Sequence, residues 1–169
     1  MNIFDGPRGE SLFDRPLIGF FRHNPLPELF RKVERLDDDR FLAVLSALAV
    51  ERQLDRCLDA FLPAYERLTE VEGVFGFSMK VRLLKAFNFV PHLVLSATDL
   101  IREVRNKFAH DLDVASFDDL PEKLQNRLRN VRASIYARFG RAETLPKDSL
   151  KSEFRALAFF SIASPAIYP

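Results

Sequence analysis

Along most of the chain, apolar residues return with the 3.6-residue spacing of helices that bury one side. The clearest stripe joins Ala97, Leu100, Ile101, Val104 and Phe108 and predicts a helix over 93–110. A second joins Leu124, Leu128, Val131 and Ile135, and a third joins Leu150, Phe154, Leu157, Ala158 and Ile162 in a helix from about Asp148 to Ser161. Upstream, the run Asp37 to Asp39 supplies carboxylates that can cap free amides and complement the positive helix end, so a long helix starts there and reaches about Leu62. Phe41, Leu45 and Leu48 mark one of its faces, and Leu54, Cys57, Leu58 and Phe61 another, which predicts a central helix covered on several sides.

The connections follow from local chemistry. Residues 69–77, with Gly73 and Gly76, read as a loop, and Ser78 is placed to cap a helix running through Lys80, Leu83, Leu84 and Phe87. Asn88 tolerates the left-handed conformation found just past helix ends, and Pro91 discourages continuation. A short helix is expected after Pro27. Residues 1–25, with Pro7, Pro16, Pro25, Gly6, Gly9 and Gly19, read as an irregular arm ending in apolar Leu17, Ile18, Phe20 and Phe21, which must dock on its own domain or reach a partner subunit. No strand alternation or repeat competes. The expected fold is all-α, a single-domain bundle of about five to seven helices, with the arm at 1–25, the helical domain at 26–163 and a tail at 164–169.

Composition is compatible with one core: 169 residues, 47% hydrophobic, with 17 Phe and no Trp. Asp5, Arg8, Glu10 and Asp14 interrupt any signal-peptide apolar run, and the longest apolar stretch, Phe41 to Val50, is well short of the roughly 20 residues of a membrane helix. The single cysteine, Cys57, cannot form an internal disulfide and reads as a small buried hydrophobe. Together these lead us to expect a cytoplasmic protein with no membrane contact. The net charge of +1 excludes no partner class, but its distribution is uneven. Acids dominate from Glu28 to Glu72, whereas Lys123, Arg127, Arg129, Arg132, Arg138 and Arg141 stand without an acid between them. Such a run suits phosphates or an acidic protein surface, or is simply a solvated helix face.

The helix over 93–110 carries the candidate chemistry. At 100° per residue its apolar stripe leaves Arg102, Arg105, Asn106, Ala109 and His110 on the remaining arc. Asn106 and His110 can face one another, while Arg105 and His110 lie about 140° apart, so one helix cannot clasp them together. Two such helices meeting across a twofold axis could bring Arg105 of one towards His110 of the other, with small Ala109 permitting close contact.

Residues 101–110, IREVRNKFAH, resemble the Arg-Asn-x-x-x-His signature of HEPN domains, helical domains often found in ribonucleases. The order Phe77-Ser78-Met79-Lys80, DLIREVRNKFAH, Ser116-Phe117-Asp118-Asp119 and Glu153-Phe154-Arg155 is similar to the mannitol operon repressor family, over residues 37–163. One departure is Asn88, where a Gly is expected. The resemblance implies a HEPN-like homodimer and two functions. One is a regulatory protein that engages RNA or another protein. The other is a metal-independent endoribonuclease, a possible toxin held by an antitoxin, in which Arg105, Asn106 and His110 promote attack of a ribose 2'-hydroxyl on the adjacent phosphate. His exchanges protons near neutral pH and Arg binds phosphate through a planar fork, so the chemistry suits these residue types. Arg102, Arg129, Arg132 and Tyr136 are the further candidates for contact with nucleic acid or a protein partner. In the purely structural alternative, His110 caps its helix and Arg105 pairs with Asp111 or Asp113. His23 and His92 are isolated and no Cys/His cluster has ligand spacing, so neither a metal nor a cofactor is expected.

Overall fold

A computed structural model describes residues 35–70, 75–88, 90–138 and 149–163, apart from the side chains of residues 69, 136, 138 and 163. The arm at 1–25, the short helix expected after Pro27 and the tail lie outside these residues. Most of those described are helical, with no strand among them: α1 (Asp39–Phe61), α2 (Tyr65–Thr69), α3 (Phe77–Ala86), α4 (His92–His110), a 3-10 turn (Phe117–Asp119), α5 (Glu122–Arg138) and α6 (Leu150–Ala163).

Each boundary has a local cause. The acidic run starts α1 through Asp38, whose Oδ1 accepts from the Phe41 amide at 2.6 Å. Ala64, at φ 61, turns the chain into α2, a five-residue helix that the sequence pattern did not reveal. Helix α3 begins after Gly76, two residues ahead of the Ser78 cap expected; the Met79 amide bonds the Gly76 carbonyl at 2.9 Å, so Ser78 lies inside the first turn. Asn88 takes the left-handed conformation, φ 54, after α3. The Pro91 carbonyl accepts from Val94 and Leu95 to open α4. Ahead of α5, Ser116 and Asp119 form a reciprocal capping box around the 3-10 turn.

Helix α4 is the hub, packing against α1, α3, α5 and α6. Its stripe Leu100, Ile101, Val104 and Phe108 is fully buried with Leu42, Val50, Leu128 and Leu157 in one cluster. Phe117 seals that cluster edge-on to Phe108, with ring centroids 5.1 Å apart, and tilted against Phe154 at 4.9 Å. A second cluster holds Leu54, Cys57, Leu58, Tyr65, Val81, Leu84, Val94 and Leu95, and Phe77 and Phe160 pack against both. Burying a Leu or Phe side chain contributes about 1.5–3 kcal/mol each, so these clusters outweigh local propensity in holding the helices together.

Helix α1 departs from the expected pattern of faces. Its Leu54, Cys57 and Leu58 end is buried, but the inward residues of its first half are Leu42, Ala43, Ala47 and Val50, while Phe41 and Leu48 are 52% and 51% exposed. Helix α1 is therefore covered on one side near its start, and α4 takes the central place.

Candidate functional site

The buried stripe of α4 fixes the rotation of the helix and turns its polar arc outwards. Arg105 and Asn106 are half-buried, and Ala109 and His110 are exposed. Arg105 Nη1 donates to Asn106 Oδ1 at 3.1 Å. No carboxylate pairs with Arg105, and His110 makes no hydrogen bond, among the described residues. Neither does what a purely structural role would ask of it. The helix end is satisfied otherwise: the Asp111 amide bonds the Lys107 carbonyl, Lys107 stands 3.7 Å from the Asp111 carboxylate, and Arg40 of α1 supplies a cation beyond it.

Arg40 reaches three carbonyls in the segment after His110, those of Asp111 at 3.3 Å, Leu112 at 3.4 Å and Val114 at 2.9 Å. Its neighbour Asp39 accepts from the Phe117 amide at 3.0 Å and pairs with Lys151 of α6 at 2.9 Å. The first turn of α1 thus braces the segment that leaves the site, a role no local sequence signal could reveal because the contacts span more than 70 residues. Leu112 protrudes beside it, 84% exposed.

Asn106 and His110 line an open cleft of about 520 Å³ between the end of α4 and the start of α5. Glu103 and Lys107 share its α4 wall, and Pro121, Lys123, Leu124 and Arg127 form the other. Arg127 pairs with Glu103 across the cleft. Lys123 is exposed and has no acidic partner among the described residues, so it offers a positive charge at the rim. Arg105 does not line this cleft. Asn106 and His110 are brought together, and Arg105 stays on the neighbouring arc, as the helical wheel requires.

The remaining candidates disperse. Arg102 pairs with Asp99 at 2.8 Å on its own helix. Arg129 is exposed and bonds Asn126 at 3.1 Å and Gln125 at 3.5 Å. The Tyr136 side chain lies outside the described atoms. Arg132 is not a surface residue: it is 8% exposed and its guanidinium meets Glu153 of α6 at 2.9 Å, tying α5 to α6. The basic run of α5 is thus partly neutralised by acids from other helices, which composition along one segment cannot show. Glu103 and Lys107 were not singled out in sequence, and Lys123 and Arg127 entered only as members of the basic run. Their signal was helical spacing, since positions 103, 106, 107 and 110 share one face of α4 and 123, 124 and 127 one face of α5.

Among the described residues no group of three His, Cys, Asp or Glu side chains is placed to hold a metal ion, and no helix is long and apolar enough to cross a membrane. Compared with family models, with curated proteins and with solved structures, the chain has no match.

Proposed function

We propose that this chain is a regulatory protein resembling the mannitol operon repressor family, built on a HEPN-like bundle, that acts as a homodimer and engages RNA through the outward face of α4. The observation that carries the reading is the α4–α5 cleft, where Asn106 and an unbonded His110 stand beside Lys123. Leu112 adds an aliphatic surface beside that cleft suited to a second subunit. In such a dimer Arg105, held by Asn106 on the neighbouring arc, reaches towards the cleft of the other subunit, and the two cations then flank one phosphate. Pro121 and Leu124 give the cleft an apolar wall against which a base can lie.

His110 also supports a second reading, a metal-independent endoribonuclease. Its exposed ring is uncommitted and can take the proton of a ribose 2'-hydroxyl. The 2'-oxygen then bonds phosphorus as the bond from phosphorus to the 5'-oxygen breaks, a cyclic phosphate forms, and the leaving 5'-oxygen takes a proton from solvent, to which His110 afterwards returns the one it holds. Arg105 of the partner subunit stabilises the charge on the phosphoryl oxygens.

Binding of single-stranded RNA across a salt series tests the first reading. Affinity falls as salt rises, and Lys123→Ala flattens the log–log slope by about 0.7, one contact's worth for a single strand. An unchanged slope, or no RNA binding, removes RNA as the partner and leaves a protein in its place. Labelled RNA in excess EDTA tests the second: wild type yields cyclic-phosphate ends and His110→Ala none, and intact RNA in both samples rejects cleavage. Sedimentation showing a monomer at high concentration excludes the composite site in either case.

A further inference from the structure

The α4 wall of the cleft carries two polar groups whose bonding directions are already set. Asn106 Oδ1 accepts from Arg105 Nη1 at 3.1 Å. A guanidinium can only donate, so the amide oxygen is the atom turned towards Arg105, and Asn106 keeps only the donors of Nδ2 to offer a ligand. Glu103 pairs with Arg127 through Oε2, and its Oε1 has no partner among the described residues. The Glu103 side chain is 32% exposed, so a ligand can reach the free oxygen.

Positions 103 and 106 are neighbours on one face of α4, and both line the cleft. His110 lies about 10 Å further along the helix axis than Glu103, at 1.5 Å per residue. The two ends of the cleft therefore differ. A carboxylate and an amide donor stand at one, His110 and Lys123 at the other, and Pro121 and Leu124 supply the apolar wall opposite α4.

A carboxylate presents two acceptor oxygens side by side, and Oε2 can accept a second bond beside the one from Arg127. Among the four RNA bases only guanine has two adjacent donors on its Watson–Crick edge, N1–H and the N2 amine, followed by the acceptor O6. Adenine and cytosine set a ring acceptor next to their single amine, which a carboxylate repels, and uracil has one N–H between two carbonyls. Single-stranded RNA exposes these edges for reading. On the reading that RNA occupies this cleft, we propose that it is a guanine site. Glu103 accepts from N1–H and the N2 amine, Asn106 Nδ2 donates to O6, and the ring lies against Pro121 and Leu124. The adjoining phosphate then lies towards His110 and Lys123.

Binding of the full chain to three short single strands tests this, each built of adenosine apart from a central guanosine, inosine or adenosine. Inosine keeps N1–H and O6 and lacks only the N2 amine. One hydrogen bond to a charged acceptor changes affinity about tenfold, so the guanosine strand is expected to bind about tenfold more tightly than the inosine strand, and the adenosine strand most weakly. Glu103→Ala should bind all three equally. Arg127→Ala breaks the same ion pair but leaves the carboxylate, so it should keep the order of the three. Equal binding of the three strands by the wild type overturns the guanine site while leaving RNA as the ligand, and binding of none overturns both. A preference that survives in Glu103→Ala shows that the base is read elsewhere, and one lost in Arg127→Ala as well shows that the ion pair alone matters; either result overturns the proposal.

Discussion

Replacing Arg132 by methionine leaves Glu153 alone in the seam between α5 and α6. In the folded protein the two side chains are 10% and 8% exposed and meet at 2.9 Å. Removing one partner of such a pair strands a buried charge and costs about 3–5 kcal/mol, whereas replacing both by apolar groups of similar size is close to neutral. Arg132→Met is therefore expected to lose about 4 kcal/mol, and Arg132→Met/Glu153→Leu to recover most of it. Urea denaturation followed by helical circular dichroism reads this directly. With a slope near 2 kcal/mol per M, the single variant's midpoint drops by about 2 M. A drop under about 0.5 M would mean that the pair is solvent-screened and worth no more than a surface pair. A double variant as unstable as the single one would show that the loss comes from packing instead of unpaired charge. Because the pair lies inside, the double variant should also bind RNA as the wild type does, in contrast to Lys123→Ala.

Asp38→Ala removes the cap of α1 and should cost about 1 kcal/mol in thermal or urea unfolding. Arg40→Ala deletes the contacts to the Asp111, Leu112 and Val114 carbonyls; a loss of about 1–2 kcal/mol is expected, with faster hydrogen exchange confined to residues 112–116. The protein should be sensitive to alkali. Burial pushes the Cys57 thiol up from 9.0 to about 11, and burial together with the hydrogen bond to Asp55 holds the Tyr65 phenol protonated well above its ordinary range. Burial opposes the charge on Lys80, but hydrogen bonds and negative charge from Asp55 and Glu51 outweigh it and raise its pKa. A pKa raised by folding contributes stability that is complete below the unfolded value and lost as pH rises through the folded one. The urea midpoint should therefore fall from about pH 9 upwards, with the Cys57 part, 9.0 to about 11, worth about 2–3 kcal/mol at 1.36 per unit. Cys57→Ala should delay the onset of the decline; an unchanged onset assigns the alkaline loss to other groups.

What sequence could reveal depended on whether the cause was local. The stripe Leu100, Ile101, Val104 and Phe108 and that of α6 were legible because a 3.6-residue period reports burial on one side directly. The left-handed turn at Asn88 was legible because few residues other than Gly and Asn accept that conformation. Helix α2, Tyr65–Thr69, is too short to display a period. Arg132 was misplaced on the outer face because its charge masked its position: it lies four residues after Leu128 and three before Ile135, on the buried stripe, and Glu153 neutralises it there. For the candidate site, the outward placement of Asn106 and His110 and the separation of Arg105 followed from the helical wheel. The opposite wall, with Lys123 and Arg127, and the support from Arg40 did not, because they depend on how α1 and α5 pack.

The division of the interior into two clusters sets how damage spreads through the molecule. The stretch of α4 from Ala97 to Phe108 belongs to one cluster, while Val94 and Leu95 at its start belong to the other, with α2 and α3. Heat or denaturant can therefore peel away the α2–α3 end while the Asn106–His110 turn keeps its footing, so partial melting there should precede, and not accompany, loss of ligand binding.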